Sequence, residues 1–252
     1  MEQSNILSTI IISSSGTSGP PKDYVQPLSK IIAANKVARK AQGITADSRV
    51  YTVMKLTHAG GLLGQTMPAL EIGGHVTCDV FSPYKWIKKI KNFTHSHLTP
   101  MHAKAIMRTK GFQDLDLTGV TITCGAEPVT WDIIEAFVIR GCKLITNWGM
   151  SEIGPIAINH TFENMEEVNR VKALCPNRMT IMGSDKYCDW LLEKGELVVK
   201  GDICIYNDWY RTKDKAVVVD DILFYAGRTN KEVDFNNPVS YTHLTLPTIL
   251  RV

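Results

Sequence analysis

The stretch ILSTIIISSSGTSGPPK, Ile6–Lys22, joins an apolar, β-branched run directly to a loop of serine, glycine and proline. Ile6–Ile12 reads as a buried strand ending in a turn. In the loop that follows, Ser13–Lys22, the glycines Gly16 and Gly19 let backbone amides point at an anion. Ser14, Ser15, Thr17 and Ser18 add hydroxyl donors, and Lys22 adds a point charge. Small residues, hydroxyls and one cation in this order suit the phosphates of a nucleoside triphosphate. The spacing is not that of a Walker A loop, which needs Gly directly before Lys and Ser or Thr after it. Here Pro21 precedes Lys22 and Asp23 follows it, which disfavours a P-loop ATPase or kinase.

Outward from the loop, strand and helix signals alternate. Ser29–Ala41 reads as a helix closed by Gly43, Val50–Met54 as a strand, Leu62–Glu71 as containing a helix, and His75–Val80 as a strand. Tyr84–Phe93, Met101–Arg108 and Trp131–Ile139 read as helices; the vicinity of His97, Val120–Cys124 and Lys143–Asn147 read as strands. Parallel neighbours need crossover helices, so this alternation predicts a layered α/β fold with a mainly parallel sheet and flanking helices. Ligands then gather at the carboxyl ends of the strands. After about residue 175 short β runs take over: Met179–Met182, Glu196–Lys200, and Ala216–Ala226 with Asp220-Asp221 as a hairpin turn. The expected division is an α/β nucleotide-binding unit over 1–174, a smaller β-rich unit over 175–230, and a remnant over 231–252.

The bulk properties agree with a globular chain: 252 residues, 44% hydrophobic and 21% charged, with a formal net charge of +3 spread along the sequence. No charge block argues for nucleic acid, and no run of about 18 apolar residues argues for a membrane span. The six cysteines show no zinc-type spacing and read as buried free thiols in a reducing, cytoplasmic setting. The closing VSYTHLTLPTILRV resembles translated read-through of a sequencing adapter and is expected not to be native.

Four further segments follow the loop: TCGAEPVT (Thr123–Thr130), NWGMSEIGP (Asn147–Pro155), GELVVKG (Gly195–Gly201) with DWYRTKD (Asp208–Asp214), and Gly227-Arg228-Thr229-Asn230. Together with SSSGTSGPPK, and in this order, they resemble the motifs of the adenylate-forming superfamily of acyl-CoA synthetases, luciferases and peptide-synthetase adenylation domains. The resemblance implies ATP-dependent activation of a small-molecule carboxylate through an acyl-adenylate, with magnesium, and with CoA or a carrier-protein thiol as acceptor. It implies that Gly125, Ala126 and Glu127 line the adenine and that Trp148 stacks on it in place of the usual Tyr. It also implies that Lys22 and Ser151 meet the phosphates, that Glu152 holds magnesium, that Asp214 accepts from the ribose hydroxyls, and that Arg228 contacts ribose or phosphate. A carboxylate facing a phosphate loop is what a hard, oxygen-seeking cation requires. Lys213 stands where the family has Gly, and after Asn230, the expected hinge, the match decays. The family's N-terminal subdomain and its Lys-bearing C-terminal domain have no counterpart, so the chain reads as an incomplete copy. An ATP- or AMP-binding protein without complete ligase chemistry is the alternative.

His58 aligns with a family histidine beside the acyl pocket; a satisfied loop histidine is the competing reading. His95, His97 and His102 straddle a strand and a helix without a carboxylate or Cys to complete a metal set. Lys85, Lys88, Lys89 and Lys91 alternate with Trp86, Ile87, Ile90 and Phe93, the pattern of an amphipathic helix with a solvated face. Trp131, Ile134 and Val138 share a core-facing helix side.

Overall fold

The structure, a computed structural model, describes residues 9–14 and 22–229. Strand β1 (Thr9–Ser13) pairs antiparallel with β2 (Asp23–Pro27), Ile12 opposite Tyr24, in a two-stranded sheet of their own. The part of the apolar run from Thr9 onward therefore forms a strand, but not a fully buried one: Ile12 is inside while Ile11 is 63% exposed, and residues 6–8 lie outside the described residues. One face of the hairpin packs on Ile31, Ala59 and Leu63, and the other meets solvent.

Helix α1 (Leu28–Gln42) follows at once. Gly43 stops it at φ 69°, the left-handed conformation that lets its N–H return to Arg39 O. The chain then enters a seven-stranded sheet ordered β10-β8-β7-β6-β5-β3-β4. Its parallel block comprises β3 (Arg49–Thr52), β4 (His75–Cys78), β5 (His95–Leu98), β6 (Thr121–Gly125) and β7 (Lys143–Met150). Strands β8 (Gly154–Phe162) and β10 (Asp185–Lys186) extend it antiparallel. The connection from β3 to β4 runs through α2 (Ala59–Gly61), a π-helical turn at Leu62–Thr66 and α3 (Met67–Leu70). The expected single helix within Leu62–Glu71 is thus a composite. The π turn widens it where Thr66 Oγ1 donates to Gly61 O.

Helices α4 (Pro83–Lys89), α5 (Pro100–Met107), α6 (Trp131–Val138) and α7 (Met165–Leu174) complete the layer. Alternation along β5 sorts the helices between the two faces. Ser96 accepts from Trp86 of α4, while His95 bonds Gln42 O of α1 and His97 bonds Gly60 O. The α4 side holds the main core, built around Trp86, Ile106, Ile122, Phe137, Leu144 and Phe162. The α1 side is unusually polar: Thr123 and Gln65 both donate to Gln42 Oε1.

A second, antiparallel sheet has the order β11-β12-β13-β14-β9. It contains β9 (Thr180–Gly183), β11 (Asp189–Glu193), β12 (Glu196–Lys200), β13 (Tyr210–Val219) and β14 (Ile222–Arg228). Asp220 and Asp221 make the β13–β14 turn at φ 51° and 60°, the doubly positive geometry that two-residue hairpins favour. Ile153, Ala157 and Ile158 pack against Met182, Leu197 and Leu223, so the two sheets share a core. Strands β8 and β11 and helix α7 were not foreseen, and β13 begins earlier than the expected Ala216.

Candidate nucleotide site

The loop after β1 is closed at its base by two bonds. Ser14 N donates to Lys22 O at 2.8 Å, and Lys22 N donates to Ser14 Oγ at 2.9 Å. Ser15, Gly16, Thr17, Ser18 and Gly19 lie outside the described residues, as does Asn230. Both stems of the loop are docked. On the incoming side Ser13 N donates to Thr57 O at 3.0 Å, and His58 Nδ1 lies 2.8 Å from Ser13 O. His58 is thereby fixed to the root of the loop, with its Nδ1 bearing the proton it shares with that carbonyl. On the outgoing side Tyr24 and Gln26, on one face of β2, reach the turn between β7 and β8. Gln26 Nε2 donates to Ser151 O at 2.8 Å and the Tyr24 hydroxyl donates to Glu152 Oε1 at 2.6 Å.

Ser151 and Glu152 follow β7 directly, at the carboxyl end of the parallel block. Glu152 is 9% exposed and its Oε1 accepts a second phenol, Tyr210 of β13, at 3.2 Å. Among the described residues none donates to Oε2. Magnesium is commonly held by one or two carboxylates together with phosphate oxygens and water, not by a protein cage. A single carboxylate with one oxygen saturated and one left to ligate fits that chemistry. Among the described residues no cluster of three or more His, Cys, Asp or Glu side chains makes a fuller metal site. The two phenols stay protonated near Glu152. Its hydrogen bond and burial push the Tyr24 hydroxyl up to about 12, and burial pushes that of Tyr210 up as well.

Gly125, Ala126 and Glu127 form the carboxyl end of β6 and the turn beyond it. Gly125 is dictated by packing, since a Cβ there would lie 2.4 Å from Asn147 O. Ala126 turns the chain at φ 70°, and exposed Glu127 borders a groove of about 350 Å³ with Met101, Lys104 and Arg108. Trp148 does not present a free ring edge: its Nε1 donates to Asp214 Oδ2 at 2.9 Å. Asp214 Oδ1 is taken by Arg228 Nε, also at 2.9 Å, while Arg228 Nη2 donates to Thr212 O. Burial raises the Asp214 pKa even against the Trp148 and Arg228 contacts. The residues assigned to adenine stacking, ribose and phosphate are thus bonded to one another. Lys213 adopts φ 62° within β13, where the pairing with β12 shifts register between Arg211 and Lys215.

The other candidates separate. His95 and His97 are buried in β5 and burial lowers both pKa values, His97 to about 4. His102 belongs to the Thr99 capping box of α5 and stacks on Phe81 with ring centroids 4.0 Å apart. Lys89 pairs with Asp79 at 2.6 Å, which also accepts from Tyr51, and Trp86 is fully buried. Of the cysteines, Cys124, Cys142 and Cys204 are buried and Cys175 and Cys188 partly so. Cys78 departs from expectation: it is exposed, on the edge strand β4, and borders a cavity of about 650 Å³ with Met54, Leu56, Phe81 and His102. Tyr24, Gln26 and Tyr210, which hold the Ser151–Glu152 turn, were not foreseen. Among the described residues no helix is long and apolar enough to cross a membrane.

The acidic turn Ser151–Glu152 lies at the carboxyl end of the parallel block of an α/β sheet, and solved structures share this fold. An adenylation domain of a keto acid-selecting peptide-synthetase module, bound to its keto acyl adenylate, superposes with a TM-score of 0.73 at 17% identity, covering 87% of this chain and 51% of that one. ATP-bound MatB from Rhodopseudomonas palustris gives 0.69 at 15% identity over 86% of this chain and 47% of its own. The chain belongs to the AMP-binding enzyme family, whose profile matches residues 8–206. Among curated relatives, an indoleacetate–CoA ligase of Aromatoleum aromaticum is 26% identical over 86% of this chain and 44% of its own length. A feruloyl-CoA synthase of Amycolatopsis is 24% identical over 86% and 46%. The chain thus spans about half the length of the curated relatives it matches.

Proposed function

We propose that this chain supplies the nucleotide site of an ATP-dependent carboxylate-activating ligase. A carboxylate oxygen attacks the α-phosphorus of ATP, the bond to the β-phosphate bridging oxygen breaks, and acyl-AMP and pyrophosphate result. A thiol, CoA or a carrier arm, then takes the acyl group. Lys22 and the loop amides neutralise the phosphates, Ser151 meets the α-phosphate, and Glu152 holds the magnesium that supplies charge neutralisation when bound. Gly125, Ala126 and Glu127 line the adenine, Trp148 covers it, Asp214 accepts from the ribose with Arg228 beside it, and His58 borders the acid. Residues 1–174 form the α/β unit of this site and 175–230 the β-rich unit that completes its ribose side. Six free thiols support a reducing, cytoplasmic setting.

The observation that carries this reading is one connected set of hydrogen bonds. The strand leaving Lys22 bonds Ser151 O and Glu152, Glu152 bonds Tyr210, and β13, which carries Tyr210, also carries Asp214, bonded to Trp148. Lys22→Ala tests it. Loss of the charge should weaken ATP binding about tenfold or more while AMP binding changes little, because charge-assisted contacts to the outer phosphates are lost. Equal weakening of both nucleotides refutes the phosphate role.

A second reading is nucleotide binding without ligase chemistry. Carboxylate-dependent exchange of pyrophosphate into ATP separates the two.

A further inference from the structure

The Tyr24–Glu152 bond joins elements that no local geometry forces together. Tyr24 sits on β2, just beyond the exit of the phosphate loop, and Glu152 lies in the β7–β8 turn, 128 residues away. Gln26, on the same face of β2, bonds the carbonyl of the preceding Ser151 at 2.8 Å. These two bonds fix the position of the exit strand relative to the acidic turn. The distance of 2.6 Å is that of a strong phenol–carboxylate hydrogen bond. Tyr210, at 3.2 Å, adds a longer one to the same oxygen. With two donors on Oε1, that oxygen's lone pairs are spoken for, and a cation is left with Oε2.

We infer that Tyr24 is a positioning residue that presents Glu152 to the cation through one oxygen and ties that carboxylate's placement to the seating of the phosphate loop. This rests on the reading of Glu152 as the magnesium-holding residue. Tyr24 acts through the carboxylate, to which its hydroxyl donates. Groups that orient a metal-holding carboxylate tune its affinity for the ion, and their loss commonly costs tenfold or more.

The test is calorimetric titration of ATP into the full chain at graded magnesium concentrations, with AMP and with ATP in chelator as magnesium-independent references. For Tyr24→Phe the magnesium concentration that half-saturates the enhancement of ATP binding should rise about tenfold, with both references unchanged within about twofold. Tyr210→Phe should shift it less, following its longer bond. In a Glu152→Gln background Tyr24→Phe should add nothing further. Should Tyr24→Phe fail to fold, Tyr24→Leu, which also removes the phenol, enters the same comparison. If Glu152→Gln raises the magnesium requirement and Tyr24→Phe does not, or if the Tyr24→Phe shift persists undiminished in the Glu152→Gln background, the positioning role is overturned while the metal role of Glu152 stands. If Glu152→Gln leaves the requirement unchanged, the metal reading fails and the positioning role falls with it.

Discussion

Lys213 is exposed and holds φ 62°, a conformation that costs an ordinary L-residue about 1–2 kcal/mol relative to right-handed alternatives. Its N–H bonds Glu196 Oε1 at 3.0 Å and its carbonyl accepts from Thr229 N, so the backbone here is held from both sides. Lys213→Gly keeps both bonds and relieves the strain. Offset by the greater freedom of glycine in the unfolded chain, it should stabilise by up to about 1 kcal/mol, seen as a higher urea midpoint with unchanged slope. That a lysine stands here is plain from the sequence; that it takes a left-handed conformation inside β13, at a register shift, is visible only in the structure. The same holds for Glu152. That it is a candidate site residue follows from motif order, but its partners do not. Tyr24 and Tyr210 are separated from it by 128 and 58 residues, and hydrogen bonds across such distances leave no periodic trace in a sequence.

Helix α7 carries its start signal in the sequence. Asn164 accepts from Glu167 N at 2.9 Å, and Asn-x-x-Glu before an amphipathic stretch is a helix-start pattern. Strand β8, Gly154–Phe162, carries no helix signal that separates it from β7. The turn between the two is tight, and the chain resumes pairing at once, Met150 opposite Gly154. The parallel block was legible because its strands alternate with amphipathic helices; the antiparallel additions at its edge, with no crossover helix between β7 and β8, lack that rhythm. The cap can be tested at its own scale. Asn164→Ala should destabilise by about 1 kcal/mol and Asn164→Asp by much less, since aspartate caps equally well; urea unfolding of the two variants decides it.

At the scale of the molecule, the seven- and five-stranded sheets share a core, with Ile181, Ile222 and Phe224 packed into the main cluster beside Ile122 and Phe162. The hairpin of β1 and β2 is differently placed. Its apolar support is a small cluster of Ile12, Ile31, Ala59 and Leu63, and Ile11 and Val25 face solvent. A two-stranded sheet is marginal by itself, and segments with little buried apolar surface open at free energies below that of global unfolding. The hairpin should therefore exchange its amide hydrogens faster than β5, β6 and β7 do. A ligand seated on the loop it carries, and on the turn it grips through Tyr24 and Gln26, can only bind the closed form. Magnesium-ATP should slow exchange at Ile12 and Tyr24 more than at Ile122 or Leu144, as read by mass spectrometry. ATP binding without such protection would mean that the phosphates lie elsewhere. The hairpin thus joins a thinly buried strand pair to the acidic turn, and its exchange rate is where binding at that turn should register.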